Sequence, residues 1–269
     1  MKRIVYTITF CCFFFPSWAQ FENKLSDLGI NGKVQSVIQS EYKVTNYDYN
    51  SLKEERRTVF TFNRDGYKTE EKYTSPLGEV LYQVTFSYLP SGELAEEKVS
   101  NFEYNKNFVK KYGVNPKSIT VDIAYESEAP HLFEKYTLDA KGNVTQKVDY
   151  ENGEVFRTFN YTYNSSGLLQ SESQQMQGTN LNFKYAYNGK KQLEKKTEVT
   201  SSGKVLHSQS YTYDKNGNIL TEVSSYSNDP QKLTLSYKYV IDSKGNWIEK
   251  QEFMDKHLFS VTKRVVFYF

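Results

Sequence analysis

The sequence predicts an all-β protein: an antiparallel meander of β-hairpin repeats that forms one large twisted or curled sheet. Three observations predict it. A short turn phrase returns at a spacing of about 25 residues along most of the chain. The residues between turns alternate polar and apolar, the period of a half-buried strand. The composition holds 23 tyrosines and 18 phenylalanines in a chain only 38% hydrophobic, with a mean hydropathy of −0.69. Abundant tyrosine with little aliphatic bulk suits a sheet with one wet face, and so many aromatics argue against disorder.

The turn phrase runs aromatic, any residue, aromatic or aliphatic, Asp or Asn, two residues, Gly. It stands as Tyr136-Thr-Leu138-Asp139-Ala-Lys-Gly142, Tyr161-Thr-Tyr163-Asn164-Ser-Ser-Gly167, Tyr211-Thr-Tyr213-Asp214-Lys-Asn-Gly217 and Tyr239-Val-Ile241-Asp242-Ser-Lys-Gly245. Weaker copies begin at Phe60, Phe86 and Tyr185, the last with Lys191 in the place of the glycine. Asp or Asn first and Gly fourth suit a type I turn whose glycine takes positive φ and begins a bulge, the side chain capping the turn by accepting backbone N–H bonds. Gly142, Gly167 and Gly217 are therefore expected at positive φ, with Gly178 in a looser turn. A second turn falls midway through most units, as at Leu77-Gly78, Asn152-Gly153 and Ser202-Gly203. Two strands per unit give roughly sixteen strands with no crossover, and sheets beyond about ten strands curl or split.

The alternation places Leu233, Leu235, Tyr237, Tyr239 and Ile241 on one face of a strand, and Val261, Val265, Phe267 and Phe269 on one side of the last. That final strand, apolar to its end, either closes the sheet or pairs with a partner. From Asn101 to Pro130 the phrase fails, and lysines and Pro116 interrupt the alternation. An irregular insert near 101–130 is expected there, either a longer hairpin excursion or a contact element.

The repeated Tyr-x-Tyr-Asp with its Gly-Asn resembles the YD repeat of the Rhs family, in the short exported form of the Bacteroidota. Leu28-Gly-Ile-Asn-Gly32-Lys-Val34 at one end and Asp242-Ser-Lys-Gly-Asn-Trp247-Ile-Glu-Lys250 at the other are similar to that group, so the resemblance spans most of residues 28–269. It implies a β-hairpin array and supplies no catalytic residues.

Residues 1–19 are expected to be a secretory signal peptide: Lys2 and Arg3, an apolar run from Ile4 to Phe15, and Ser17-Trp18-Ala19 as cleavage site. Residues 20–269 then form a single β-hairpin repeat domain. Cys11 and Cys12 leave with the leader, which removes disulfides, thiol chemistry and cysteine-ligated metal from the exported chain. Losing Lys2 and Arg3 from 34 basic against 32 acidic residues balances the charge, so nucleic acid is not an expected partner. No later apolar run reaches the length of a transmembrane segment. The expected location is the periplasm, with secretion as the alternative.

No pattern singles out chemistry: no catalytic, cofactor-binding or metal-binding residue is assigned, and no cofactor. His131, His207 and His257 lie in different repeats without recurring carboxylates. The Asp214 turn resembles a calcium loop, but Ser225 falls where the bidentate Glu belongs. Glu194, Lys196 and Glu198 alternate with Leu193, Thr197 and Val199, as on a solvated strand face. Tyrosines at matching places in successive hairpins form a ladder, either the core or an exposed platform with Trp247 as its anchor. The expectation is a non-enzymatic exported binding or scaffold protein that engages another cell-envelope protein, such as a component of an outer-membrane secretion or transport assembly. The alternative is a glycan- or peptidoglycan-binding module.

Overall fold

The structure, a computed structural model, describes residues 24–126, 131–176 and 178–269; the expected signal peptide and cleavage site lie outside them. Eighteen strands follow one another. They are β1 (Val34–Lys43), β2 (Lys53–Phe62), β3 (Lys68–Thr74), β4 (Val80–Tyr88), β5 (Leu94–Asn101) and β6 (Lys106–Asn115). Next come β7 (Ser118–Tyr125), β8 (Leu132–Leu138), β9 (Val144–Glu151), β10 (Glu154–Tyr163), β11 (Leu169–Met176) and β12 (Thr179–Tyr187). The last are β13 (Leu193–Val199), β14 (Val205–Tyr213), β15 (Ile219–Tyr226), β16 (Lys232–Ile241), β17 (Trp247–Met254) and β18 (His257–Tyr268). Each pairs antiparallel with its neighbours in sequence, the meander expected from the turn spacing.

The sheet does not stay open. β1 pairs with β2 on one side and with β18 on the other, which closes an eighteen-strand barrel. The twisted or curled sheet expected from the sequence, with roughly sixteen strands, is thus a closed barrel of eighteen. The closing force is legible in the register. In seven hairpins the strand after the turn carries a bulge opposite the third residue of the phrase, facing Phe62, Tyr88, Leu138, Tyr163, Tyr187, Tyr213 and Ile241. A bulge bends its strand and adds twist. Four alternate hairpins carry bulges as well, with Leu81, Phe156, Leu206 and Phe259 as the extra residues, so the wall bends at both heights. β18 is consequently paired along both edges, so the alternative in which it adds to a partner is lost.

The expected irregular insert is a pair of wall strands. β6 and β7 pair with each other and with β5 and β8, and Ile119, Val121 and Ile123 build a buried cluster with Tyr136, Leu138 and Val144. The irregularity lies in the turns: Asn115 Oδ1 accepts from the N–H groups of Lys117 and Ser118, replacing the usual phrase.

The turn phrase itself behaves as its chemistry requires. In the Asp139 turn, Oδ1 accepts the N–H groups of Lys141 and Asn143 at 2.8 Å each, and Oδ2 takes the Asn143 amide at 2.9 Å. Asn63, Asn164, Asn188, Asp214 and Asp242 repeat the backbone capping. Gly142, Gly167 and Gly217 have φ of +83°, +77° and +89°; Gly178, expected to be looser, has +85°. Lys191 is held at φ +63° in a position made for glycine.

A second buried cluster sits where the chain ends meet. Leu25 and Ile30 pack on Val34, Val37, Phe60 and Phe62, with Val266 and Tyr268 against them.

Candidate functional site

The two faces of the barrel wall differ in chemistry. One carries continuous cross-strand rows of aromatic and charged residues: Tyr136, Lys147 and Phe159; Tyr161, Glu172, Phe183 and Glu198; Tyr185, Lys196 and Gln209. Tyr185 is only 7% exposed and Tyr211 6%, although no second layer of strands or helices covers them among the described residues. Side chains converge inside a closed barrel and diverge outside it, so this crowded face is the lumen.

The lumenal residues satisfy one another. Lys68 lies 5.3 Å from the ring centres of both Phe60 and Phe86. Lys147 sits between Tyr136 and Phe159 at 5.4 and 5.5 Å, and Lys196 lies 4.6 Å from Phe183 and 5.7 Å from Tyr185. Lys147 also bridges Glu134 and Asp149 at 3.0 Å each, while Arg157 holds Asp149 at 2.8 Å. The Tyr136 and Tyr185 hydroxyls donate to Glu134 and Glu172; burial and those carboxylates push both phenols far above their ordinary range. Such a network stiffens a wall when every member has a partner.

Another set of tyrosines fastens one repeat to the next. The hydroxyls of Tyr88, Tyr163, Tyr187 and Tyr213 donate to the carbonyls of Lys68, Val144, Leu169 and Leu193 at 2.6–2.9 Å. Burial raises Tyr163 and Tyr187 to about 12. The tyrosine ladder is thus built into the wall. Trp247 belongs to it as well: the Arg264 guanidinium lies 3.4 Å from its ring centre and bonds Gln39 and the Leu28 carbonyl. Burial lowers Arg264 to about 9.

Lys196 and Glu198, expected on a solvated face, point instead into this aromatic belt. Glu194 is the extra residue of a bulge in the same strand, opposite the Ala186–Tyr187 step, and beyond it Lys196 pairs with Tyr185. Alternation alone located the two faces without showing that the lumenal one carries the charges.

The histidines stay apart. His131 bonds Asp122 at 2.9 Å, His207 stacks on Tyr226 at 4.2 Å, and His257 meets Tyr47 at 4.7 Å. The Asp214 carboxylate caps its own turn, accepting from Asn216 and Asn218. Among the described residues no group of three or more His, Cys, Asp or Glu side chains is arranged to hold a metal ion.

Over β10 to β15 the outward face is polar. Thr162, Ser171, Lys184, Thr197, Ser208 and Ser225 form one row across six strands. A membrane-spanning barrel carries an outward apolar band about 25 Å tall, which this row interrupts over those six strands.

Exposed apolar side chains gather instead at the ends. The meander places the turn phrases on one rim and the alternate turns on the other. The alternate rim carries Tyr47, Leu77, Phe102, Tyr104, Val155 and Tyr226, exposed between 54% at Tyr226 and 89% at Leu77. Phe102 and Tyr104 belong to the segment where the phrase fails.

No protein-family model matches the chain. No curated protein matches it. Among solved structures, a porin-like protein from Bacteroides uniformis aligns with a TM-score of 0.48 at 12% identity, over 88% of this chain and 99% of that one. A Photorhabdus luminescens Tc holotoxin pore aligns with a TM-score of 0.32 at 12% identity, over 79% of this chain, which spans 15% of that one. Likenesses at these scores and identities assign neither family nor function.

Proposed function

We propose that the chain is an exported, non-enzymatic binding or scaffold protein of the YD-repeat type, standing in water within the cell envelope. Its partner is another envelope protein, such as a component of an outer-membrane secretion or transport assembly. The observation that supports this reading is the ring of exposed tyrosine, phenylalanine and leucine tips on the alternate rim. Aromatic anchors on turns held by a rigid wall are what protein interfaces use. The wall itself is occupied with its own contacts: its strand edges are paired and its lumenal charges partner one another.

A pull-down from detergent-solubilised envelopes tests it, with Phe102→Ser/Tyr104→Ser as the comparison. An envelope protein retained by the wild type and lost with the variant, at equal melting temperature, supports the reading. Exposed tyrosines also stack on sugar rings, which favours the glycan reading second; retention on peptidoglycan or polysaccharide with no protein captured decides for it.

A further inference from the structure

The opposite rim, formed by the turn phrases, has a different chemistry. Its turns present Arg64, Lys117, Lys141, Lys190, Lys191 and Lys215, all exposed. Three acids of the same turns are drawn inward, while Asp65 stands exposed beside Arg64. Asp139, Asp214 and Asp242 accept two backbone N–H bonds each, so the cationic groups stand outermost. Exposed lysines stand on the alternate rim too, among them Lys106, Lys204 and Lys256, but exposed acids such as Glu79, Glu103, Glu154 and Asp229 accompany them there, so the cationic excess lies on the turn-phrase rim.

A second feature marks the same rim. β18 ends there, and its outward residues Val265, Phe267 and Phe269 are 54%, 45% and 51% exposed. Arg64 lies 5.7 Å from the Phe269 ring centre. Basic side chains beside exposed aromatic ones are the two signals that together give stable attachment to an anionic bilayer surface. The charges supply roughly 1 kcal/mol each near the headgroups, and the rings enter the interface. Either signal alone holds weakly.

We propose that the turn-phrase rim docks the barrel upright on an anionic phospholipid surface, with Phe267 and Phe269 entering the headgroup layer. The alternate rim, with its apolar tips, then faces away from that surface. The inference is independent of the partner reading, because it uses the other end of the molecule.

Co-sedimentation with vesicles tests it, using pure phosphatidylcholine against phosphatidylcholine containing about one part in four phosphatidylglycerol. The wild type is expected to bind the anionic vesicles only, and to be released as salt shortens the screening length from about 30 to about 3 Å. Lys141→Glu/Lys190→Glu/Lys215→Glu is expected to lose binding by more than about tenfold. Phe267→Ser/Phe269→Ser is expected to weaken it with no change in melting temperature. Glu79→Gln/Glu154→Gln on the alternate rim should bind as the wild type does. Equal binding to both vesicles, no binding at low salt, or full binding by the triple lysine variant would overturn the proposal. So would capture by dextran sulfate without capture by vesicles, which would make the rim a polyanion site.

Discussion

Asn31 and Asn246, 215 residues apart, bond each other reciprocally across the seam of the barrel. The Asn31 N–H donates to Asn246 Oδ1 at 2.6 Å, and Asn246 Nδ2 donates to the Asn31 carbonyl at 3.1 Å. Asn246 is 1% exposed and also donates to the Tyr268 hydroxyl at 2.9 Å. The last turn phrase thereby fixes the segment that leads into β1. Asn246→Ala leaves the part-buried Asn31 N–H without its acceptor and should cost about 1–2 kcal/mol. Denaturant unfolding should show a lower midpoint with an unchanged slope.

Lys191 should be the weak turn. A non-glycine residue in the left-handed region costs about 1–2 kcal/mol, and six other copies of the phrase place glycine at that position. Lys191→Gly should raise stability by about 0.5–1 kcal/mol, the flexibility gained by the unfolded chain offsetting part of the relief. Gly217→Val, at φ +89°, should lower it by about 1–3 kcal/mol. Gly178→Val should cost a similar amount, because its backbone is equally left-handed. Thermal melts of the three variants check the order.

Glu222 sets a pH dependence. Burial pushes its carboxyl up, and the neighbouring Glu252 adds to this, while hydrogen bonds from Gln209 and Tyr237 oppose without cancelling it. A folded-state value above the unfolded one means that the folded state binds the proton more tightly. The resulting stability is present below the unfolded value, near 4.3, and is lost as pH rises through the folded value. Glu222→Gln should therefore be more stable than the wild type at pH 7 and equal to it near pH 3. The Gln209 amide keeps an oxygen to donate to. Melting temperatures across pH 3–8 test the sign; a variant less stable at pH 7 would contradict it.

β18 should be indispensable. Deleting residues 261–269 exposes facing edges of β1 and β17 and removes Val261 from its cluster with Val44 and Leu258. The truncated protein should lose its near-ultraviolet circular dichroism and become protease-sensitive. A truncated chain that keeps both properties would show that the barrel holds without its seam.

Outside β6 and β7, the strands, their antiparallel order, the turns and the left-handed glycines were legible in the sequence, because each depends on residues within one repeat. Asp139, Asn143 and Gly142 need only each other to make their turn. The tertiary structure decided three things that no single repeat contains. Closure depends on the sum of many small bends spread over both rims, and on whether β1 meets β18 after eighteen strands. The regularity of β6 and β7 was hidden because their pairing partners survive while their turn residues do not. The chemistry of each face and rim depended on curvature: the alternation around Lys196 fits either side of a flat sheet, and only a closed wall makes one side a crowded lumen. The apolar tips and basic turns became two opposed rims for the same reason, since the eight connections of one rim and the nine of the other are each brought to one height only once the barrel is formed.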